Sequence, residues 1–565
     1  MRNTIYRFSV VLLTAVMSAS CIYEVFPDGG ALTQAQVTAS KTAIKSMIKA
    51  VPAAMTTSGT IGYASSYGDH TDFGLPGIHL RLEHMLEDIA TMAENPYYNR
   101  FAAYSANIGQ GSRYTSCSYF WDAYYKWIRL VNDVIISIKP IVDKGGEGEE
   151  YEEFKDILGQ AYAYRAMCYL DLARLYEPKE NDHTDVSGIL GLTVPIVDEH
   201  MTIQQTKSNP RAPRKDMYDF IFNDLKAAEE LLYQDEITFS RPTLNAVYGL
   251  YARAYIELAY ANDPAFPTED CFQKAYDYAD KVIEDGGYSP LTQAQWEDPV
   301  NGFNSASTND AWIWGFSLVS ENLNNLLTFV SHMSSEASWG YARRAQFGIS
   351  VRLYDQIPET DFRKHSWLDP EKEEFYKYKF AGTVADKQLF LTGSGDMPAA
   401  KAYQSLKFRP AMGECSDFNI GNAADYCLMR IEEMYFIRME AQAHLKGYQE
   451  GVNLLTEFMK EHRDSKYSRK PVSLEDFKTE MLLQKRVEFW GEGILLYDFK
   501  RLDRGMNRKY AGSNHAERFQ INKGERRSPQ WNIVITRAEF QSNTAINDSN
   551  NNPDPSEPEE TENED

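Results

Sequence analysis

Cysteine, histidine and positive charge are all scarce in this chain, and each shortage closes off a class of function. Six cysteines occur in 565 residues. Five of them, Cys117, Cys168, Cys271, Cys415 and Cys427, lie scattered through the body. An odd, dispersed set argues against a disulfide framework, and no pair has the two-residue spacing of a zinc or redox motif. They read as buried thiols. The ten histidines are equally dispersed, and His79 and His84 stand five apart, which turns them to different faces of a helix. No metal and no cofactor is expected. Lys and Arg number 58 against 81 Asp and Glu, a formal net charge of −23. Nucleic-acid binding depends on cations that neutralise phosphates, so nucleic acid is not an expected partner. Beyond the N-terminal leader, no stretch reaches the roughly 18 apolar residues needed to span a bilayer. The mature chain is therefore expected to be soluble or tethered.

The leader itself is informative. Arg2 and Arg7 precede the apolar run 8–17, and Ser18, Ala19 and Ser20 lead into Cys21, the order and size of a secretory signal peptide over residues 1–20. A cysteine directly after the small residues is also the arrangement of a bacterial lipoprotein signal, with cleavage before Cys21 and acylation of its sulfur. Ser18 stands where such signals usually carry Leu, and simple cleavage that leaves Cys21 an ordinary cysteine is the other reading. At the opposite end, residues 547–565 hold eight acids, no base and three prolines. That composition cannot offset ordering entropy by burial, so the tail is expected to be disordered.

Between these ends the chain reads as mostly helical. Spacing predicts helices over 41–54, 80–92 and 118–139, the last with Tyr119, Phe120, Trp121, Tyr124, Trp127, Ile128 and Val131 on one broad apolar face. Residues 158–176 place Leu158, Ala161, Tyr162, Ala166, Tyr169, Leu172 and Ala173 at steps of three or four. Similar runs recur at 253–258 and 437–445, and a partner helix follows each, at 216–232, 272–283 and 449–461. An Ala-rich helix alternating with a partner is the grammar of tetratricopeptide-type repeats, in which each pair buries its apolar face against the next. The spacing is irregular, which makes the repeats degenerate, and a general helical bundle is the plainer alternative. The expected fold class is all-α, with a helical repeat region over 21–295 and a second region over 296–546.

Helix periodicity fades from about Trp296 to Tyr426. Residues 311–316 and 375–380 alternate like short strands, as do 192–197 and the closing stretch 530–535. In a chain otherwise made of helices, this irregular block is where a ligand site would be built. Trp312 and Trp314 share a strand face and read as core. Tyr97 and Tyr98 sit in a turn at 95–99, where they serve either as a hydrophobic plug or as a stacking platform. Trp339 and Tyr341 lie among Ser, Gly and Ala in an expected loop, without obvious apolar neighbours. These four rings are the candidate ligand-binding residues.

Residues 481–505 set charges of both signs beside large rings. Arg486, Glu488, Glu492, Asp498 and Arg501 accompany Phe489, Trp490, Tyr497 and Phe499, while Gly491 and Gly493 interrupt the helix pattern. Buried charge must be paired. With no nucleophile, histidine or Gly-rich phosphate loop nearby, the five charges read as an ion-pair network clamping a Gly-turned corner to the core, in preference to a catalytic carboxylate site.

The order of residues from Gln484 to Arg501 resembles the C-terminal signature of the SusD/RagB family, written loosely ERR-x-EL-x-x-EG-x-R-x-x-DL-x-R. Gln484 and Lys485 depart from its acid and base, and Ile494 and Leu495 stand where Arg or His is common. The helix ending at Tyr176 is similar to the family's A-x-A-x-x-x-R-A-x-x-Y-x-x-L, residues 279–288 to A-x-x-I-x-x-G-G-Y, and 430–445 to R-x-A-E-x-Y-L-x-x-A-E-A. The Cys21 signal and the closing 531–543 segment complete the order. The resemblance implies an all-α repeat scaffold with an irregular ligand-binding region. It also implies an outer-membrane, cell-surface lipoprotein, anchored through Cys21, that captures a glycan or other nutrient and delivers it to a SusC-type TonB-dependent transporter without catalysis. A glycoside hydrolase and a protein-binding surface scaffold are the competing readings.

Overall fold

The computed structural model describes residues 41–57, 69–95, 99, 101–102, 111–233, 237–303, 305–323, 326–371, 375, 378–395 and 397–555. The leader with Cys21, the rings Tyr97 and Tyr98, and the last ten residues of the acidic tail lie outside them. The chain divides into two compact units, residues 1–46 and 47–565.

Helices carry the architecture. α1 (Lys41–Thr56) and α2 (Leu75–Glu83) precede the short strand β1 (Ile89–Thr91). Five longer helices follow: α3 (Thr115–Asp143), α4 (Glu149–Tyr176), α5 (Arg214–Leu231), α6 (Leu244–Leu258) and α7 (Thr268–Asp285). An irregular block holds β2 (Trp312–Phe316) and β3 (Phe347–Ile349), and β4 (Tyr426–Arg430) then leads into α8 (Ile431–Leu445), α9 (Tyr448–His462), α10 (Leu474–Glu488), α11 (Leu495–Arg501) and α12 (Arg537–Ser542). The helices pack as a series, α3 on α4, α4 on α5, α6 on α7, α7 on α8, α8 on α9 and α9 on α10. The all-α repeat fold expected from the alternating pattern is the fold observed.

α4 shows how the pattern works. Glu149, Glu150 and Glu152 occupy its first turn and Arg174 its last, each sign where the helix dipole favours it. From Asp156 to Tyr176 the described side chains are buried, so this helix is enclosed rather than half exposed. Its polar members are accordingly paired. Arg165 donates twice to Asp224 at 2.8 Å, once to Asn132 at 2.8 Å and once to Glu199 at 2.5 Å. Some of the 36 tyrosines stack where α5, α6 and α7 meet. There Tyr251 and Tyr278 stack at 4.3 Å and 9°, and Phe222 and Tyr255 at 4.6 Å and 19°.

Among the described residues, strands form two antiparallel pairs, β1 with β3 (Ile89 opposite Ile349) and β2 with β4 (Trp312 opposite Arg430), beside a few isolated bridges. Trp312 and Trp314 are buried, as expected of core rings, and an irregularity in register lies between them.

Several local expectations are corrected. The helix expected over 80–92 begins earlier and ends at Glu83, because Ile89–Thr91 is drawn into the pairing with β3. Around 375–380 the described residues form no strand; Phe375 is instead buried with Leu368, Phe390 and Leu406. Residues 530–535 form no strand either. Trp531, Ile533, Val534 and Ile535 are all buried, so alternation is absent, and no strand edge lies beside them. Their backbone is satisfied elsewhere. Ile533 N–H donates to the Leu175 carbonyl, and Ile535 N–H donates to Asn551 Oδ1 at 2.9 Å. The tail expected to be disordered from 547 onward is held as far as Asn552. Asn551 and Asn552 are buried, and Asn552 Nδ2 donates to the carbonyls of Tyr176 and Ile533, each at 2.8 Å.

Candidate functional site

The five charges of the 481–505 segment enter three separate groups. Arg486 reaches back to Glu87 at 2.7 Å and Asp88 at 2.5 Å, beside β1. Asp498 and Arg501 pair with each other at 2.7 Å, with Lys485 on the acid and Glu440 on the base. Glu488 and Glu492 form the centre. Glu488 accepts from Arg430 at 2.7 Å, from Arg463 at 2.8 Å through each carboxylate oxygen and from Arg363 at 3.0 Å. Glu492 accepts from Lys407 at 2.7 Å and Arg430 at 2.8 Å. Asp361 holds Arg363 at 2.7 Å, and Glu432 joins Arg430 and Arg463, both at 2.9 Å.

Four cations thus face four carboxylates in a region closed to water, the condition for tolerating buried charge. Despite its burial, Glu488 is held well below the usual carboxylate range by Arg463 and Arg430. The partners Arg363, Lys407, Arg430 and Arg463 come from distant parts of the chain, so local pattern could not name them. The two glycines are required. Gly491 and Gly493 have φ of 78° and 83°, and a Cβ on Gly493 would lie 2.1 Å from His79 Cβ.

A cavity of about 540 Å³ opens outside this core, in the irregular block. Trp296 links the two. Its ring lies 5.2 Å from Lys407 Nζ and 5.5 Å from the Arg463 guanidinium, its Nε1 donates to Ser366 Oγ at 2.7 Å, and it lines the cavity. Tyr354 and Tyr378 supply further rings, and Lys364 Nζ sits 4.7 Å over Tyr354. The charges around the wall are largely paired. His365 Nδ1 meets Glu297 at 2.7 Å, Lys364 meets Glu359, and Arg409 donates to Glu336 at 2.5 Å. The hydrogen bond from Glu297 raises the His365 pKa, while Glu297 is held below the usual carboxylate range against the pull of burial by that same contact. Rings beside paired donors and acceptors can hold a ligand that presents both apolar C–H faces and hydroxyls.

Among the sequence candidates, Trp339 is half-buried, and its indole N–H has no acceptor among the described residues. Its ring packs near Gly421, where an added Cβ would approach it to 2.8 Å. Tyr341 is only 7% exposed, stacks on His332 at 4.6 Å and 10°, and its hydroxyl meets His70 Nδ1. It therefore starts α-helical residues Tyr341–Ala345, not an open loop, and its ring already has protein partners. The cavity residues Trp296, Tyr354, Tyr378 and His365 were missed by local reasoning. Only the fading of helix periodicity at Trp296 pointed to them.

Residues 77–256 match the model of a SusD-like family described as starch-binding and associating with the outer membrane. No curated protein matches the chain. Among solved structures, a SusD-like carbohydrate binding protein from Bacteroides vulgatus is 21% identical, with a TM-score of 0.65 over 90% of this chain and 98% of that one. A SusD superfamily protein from Bacteroides thetaiotaomicron is 18% identical, with a TM-score of 0.62 over 91% of this chain and 100% of that one. A further superfamily member from Parabacteroides distasonis is 16% identical, with a TM-score of 0.61 over 92% and 99%. At such identities the likeness is one of fold.

Proposed function

Because the chain is SusD-like in its fold and over residues 77–256, we propose that it is a cell-surface oligosaccharide-binding protein that delivers its ligand to a SusC-type TonB-dependent transporter without cleaving it. The observation that carries this reading is the cavity over Trp296, where aromatic rings and paired charges line a space of about 540 Å³, enough for a few sugar rings. Trp339, half-buried with a free indole N–H, is the second stacking candidate. Anchoring through an acylated Cys21 fits the leader and the outer-membrane association described for the matching family. No helix among the described residues is long and apolar enough to cross a membrane.

A glycoside hydrolase needs a general acid with a raised pKa. Glu297, the cavity carboxylate bonded to His365, is shifted the other way and does not suit that role.

Calorimetry of the mature chain against a panel of oligosaccharides tests the proposal. One class should bind, and Tyr378→Ala should weaken it by about tenfold, the loss of one stacked ring. Trp339→Ala tests the second ring separately. Absence of binding by every glycan, or release of new reducing ends on incubation, would end this reading. Co-purification of a β-barrel with the native chain, lost on Cys21→Ser, is the expected result for the partner and the anchor.

A further inference from the structure

A second cavity, of about 590 Å³, shares no lining residue with the first. One wall is a stripe of α3 from Trp121 through Tyr125, Ile128 and Asn132 to Ile136, positions that recur on a single helix face. The loop from Pro195 to Asn209 forms the opposite wall, and α12 closes one end. The walls are fixed by their own hydrogen bonds. Tyr125 Oη donates to the Pro195 carbonyl at 2.6 Å, Asn132 Nδ2 to the Val197 carbonyl at 2.9 Å, and Asn543 Nδ2 to the Asn209 carbonyl at 2.7 Å. Much of the polar lining is thereby already used, which leaves few free amides for sugar hydroxyls.

What remains open is apolar and acidic. Ile203 is 82% exposed and Ile136 43% exposed, both at the cavity, whose lining also includes Met201 and the buried Ile128. Asp122, Asp133, Asp198, Glu199 and Glu539 line the same space, against Arg129 as the one lining base. Behind the wall Arg165 is shared between Glu199 and Asp224, so it does not cancel the excess. Two exposed isoleucines at the mouth of an acidic, preformed groove are complementary to a chain that carries apolar anchors between cations.

We propose that this groove docks a short, basic, apolar peptide segment of a protein partner. The stripe from Trp121 to Ile136 runs about 22 Å along α3, room for roughly six or seven residues of extended chain. Apolar side chains of the segment pack against Ile136 and Ile203, and its Lys or Arg side chains meet Asp133 and Asp198. The proposal is independent of the saccharide site, which lies in the irregular block.

Fluorescence anisotropy with a labelled heptapeptide of alternating Lys and Leu tests it, with the Glu and Leu heptapeptide as the charge-reversed control. The full mature chain should bind the basic peptide and not the acidic one, and affinity should fall as salt screens the acids. Ile203→Asp, at an exposed position that leaves the core untouched, and the double variant Asp133→Lys with Asp198→Lys should each weaken binding by about tenfold or more. Both variants should keep the melting temperature and the glycan affinity of the unmodified chain. Equal binding of the two peptides, or basic-peptide binding that both variants leave unchanged, overturns the proposal. Displacement of the peptide by a neutral oligosaccharide would give the groove to sugar and overturn it equally.

Discussion

The burden on single residues is heaviest at Glu488, whose two oxygens are shared by Arg363, Arg430 and Arg463 with no water at hand. Glu488→Gln keeps the shape and removes the charge, leaving three guanidinia and Lys407 to share Asp361, Glu432 and Glu492. Removing one partner of a buried pair costs about 3–5 kcal/mol, and here the loss should fall toward the lower end because Asp361, Glu432 and Glu492 still pair the three guanidinia. Urea unfolding should show the drop in midpoint with little change in slope. His365 and Glu297 set a milder, pH-dependent condition at the cavity rim. The His365 pKa is raised, so its contribution is complete below about 6.5 and is lost as pH rises through the raised value. The Glu297 value is lowered, so its contribution is present above about 4.5 and lost as pH falls through the depressed value. The pair is therefore ionised in the window between them. Half of the His365 side chain is exposed, which keeps its effect on global stability small. Glycan affinity is the better readout, and calorimetry should show it declining on the alkaline side, with His365→Gln flattening that limb.

At the level of elements, what could be read locally depended on how far each partner lay along the chain. Helix pairs have near neighbours and a period of three to four, so α4 with α5 and α8 with α9 were legible. The five corner charges were legible as a paired network, but their partners Arg363, Lys407, Arg430 and Arg463 were not, since nothing in local spacing marks a contact across scores of residues. The strand expected at 530–535 failed for a related reason. Three consecutive apolar positions, Ile533 to Ile535, look like a buried strand, yet their backbone partners are asparagine side chains and an unrelated helix end. Tyr341 looked loop-bound because its apolar and imidazole neighbours, His332 above all, come from another element. The tail was misjudged by composition, because three asparagines precede the acids that dominate it. Asn550 and Asn552 are gripped by Arg211, whose Nη1 donates to the Asn550 carbonyl at 2.7 Å. A chain ending at residue 546 should therefore lose about 2–4 kcal/mol, since the Ile533 carbonyl and both backbone groups of Ile535 lose their asparagine partners. One ending at residue 555 should melt with the full-length chain; equal melting of the two truncations would contradict the strap.

Taken as a whole, the molecule buries four of its histidines neutral. His79 and His332 are lowered to about 4, His515 to about 3, and His84 well below its ordinary value, in each case chiefly through burial. Every one of these imidazoles takes up a proton in the unfolded chain as pH falls below about 6.5 and resists doing so in the folded one. Stability is thus complete above 6.5 and is lost as pH falls toward the folded values. Glu83 works against them. Burial and Asp88 raise it to about 8, so it favours the fold while protonated and withdraws that contribution as pH climbs from about 4.5. Six lowered imidazoles, His444 and His462 included, oppose Glu83 and the raised Asp133, Asp224 and Asp425, so the melting temperature should rise with pH between about 4.5 and 6.5. His84 isolates the effect. It is fully buried between Phe101 and Phe347, and neither ring nitrogen has a partner among the described residues. An apolar replacement of similar size relieves two unsatisfied polar atoms and removes one titrating group. His84→Leu should therefore raise the melting temperature at pH 5 by more than at pH 7.5 and lower the proton uptake on unfolding near pH 5.5 by about one. An unchanged pH dependence in that variant would mean that His84 is already protonated in the native protein, and would place the acid sensitivity on the remaining imidazoles.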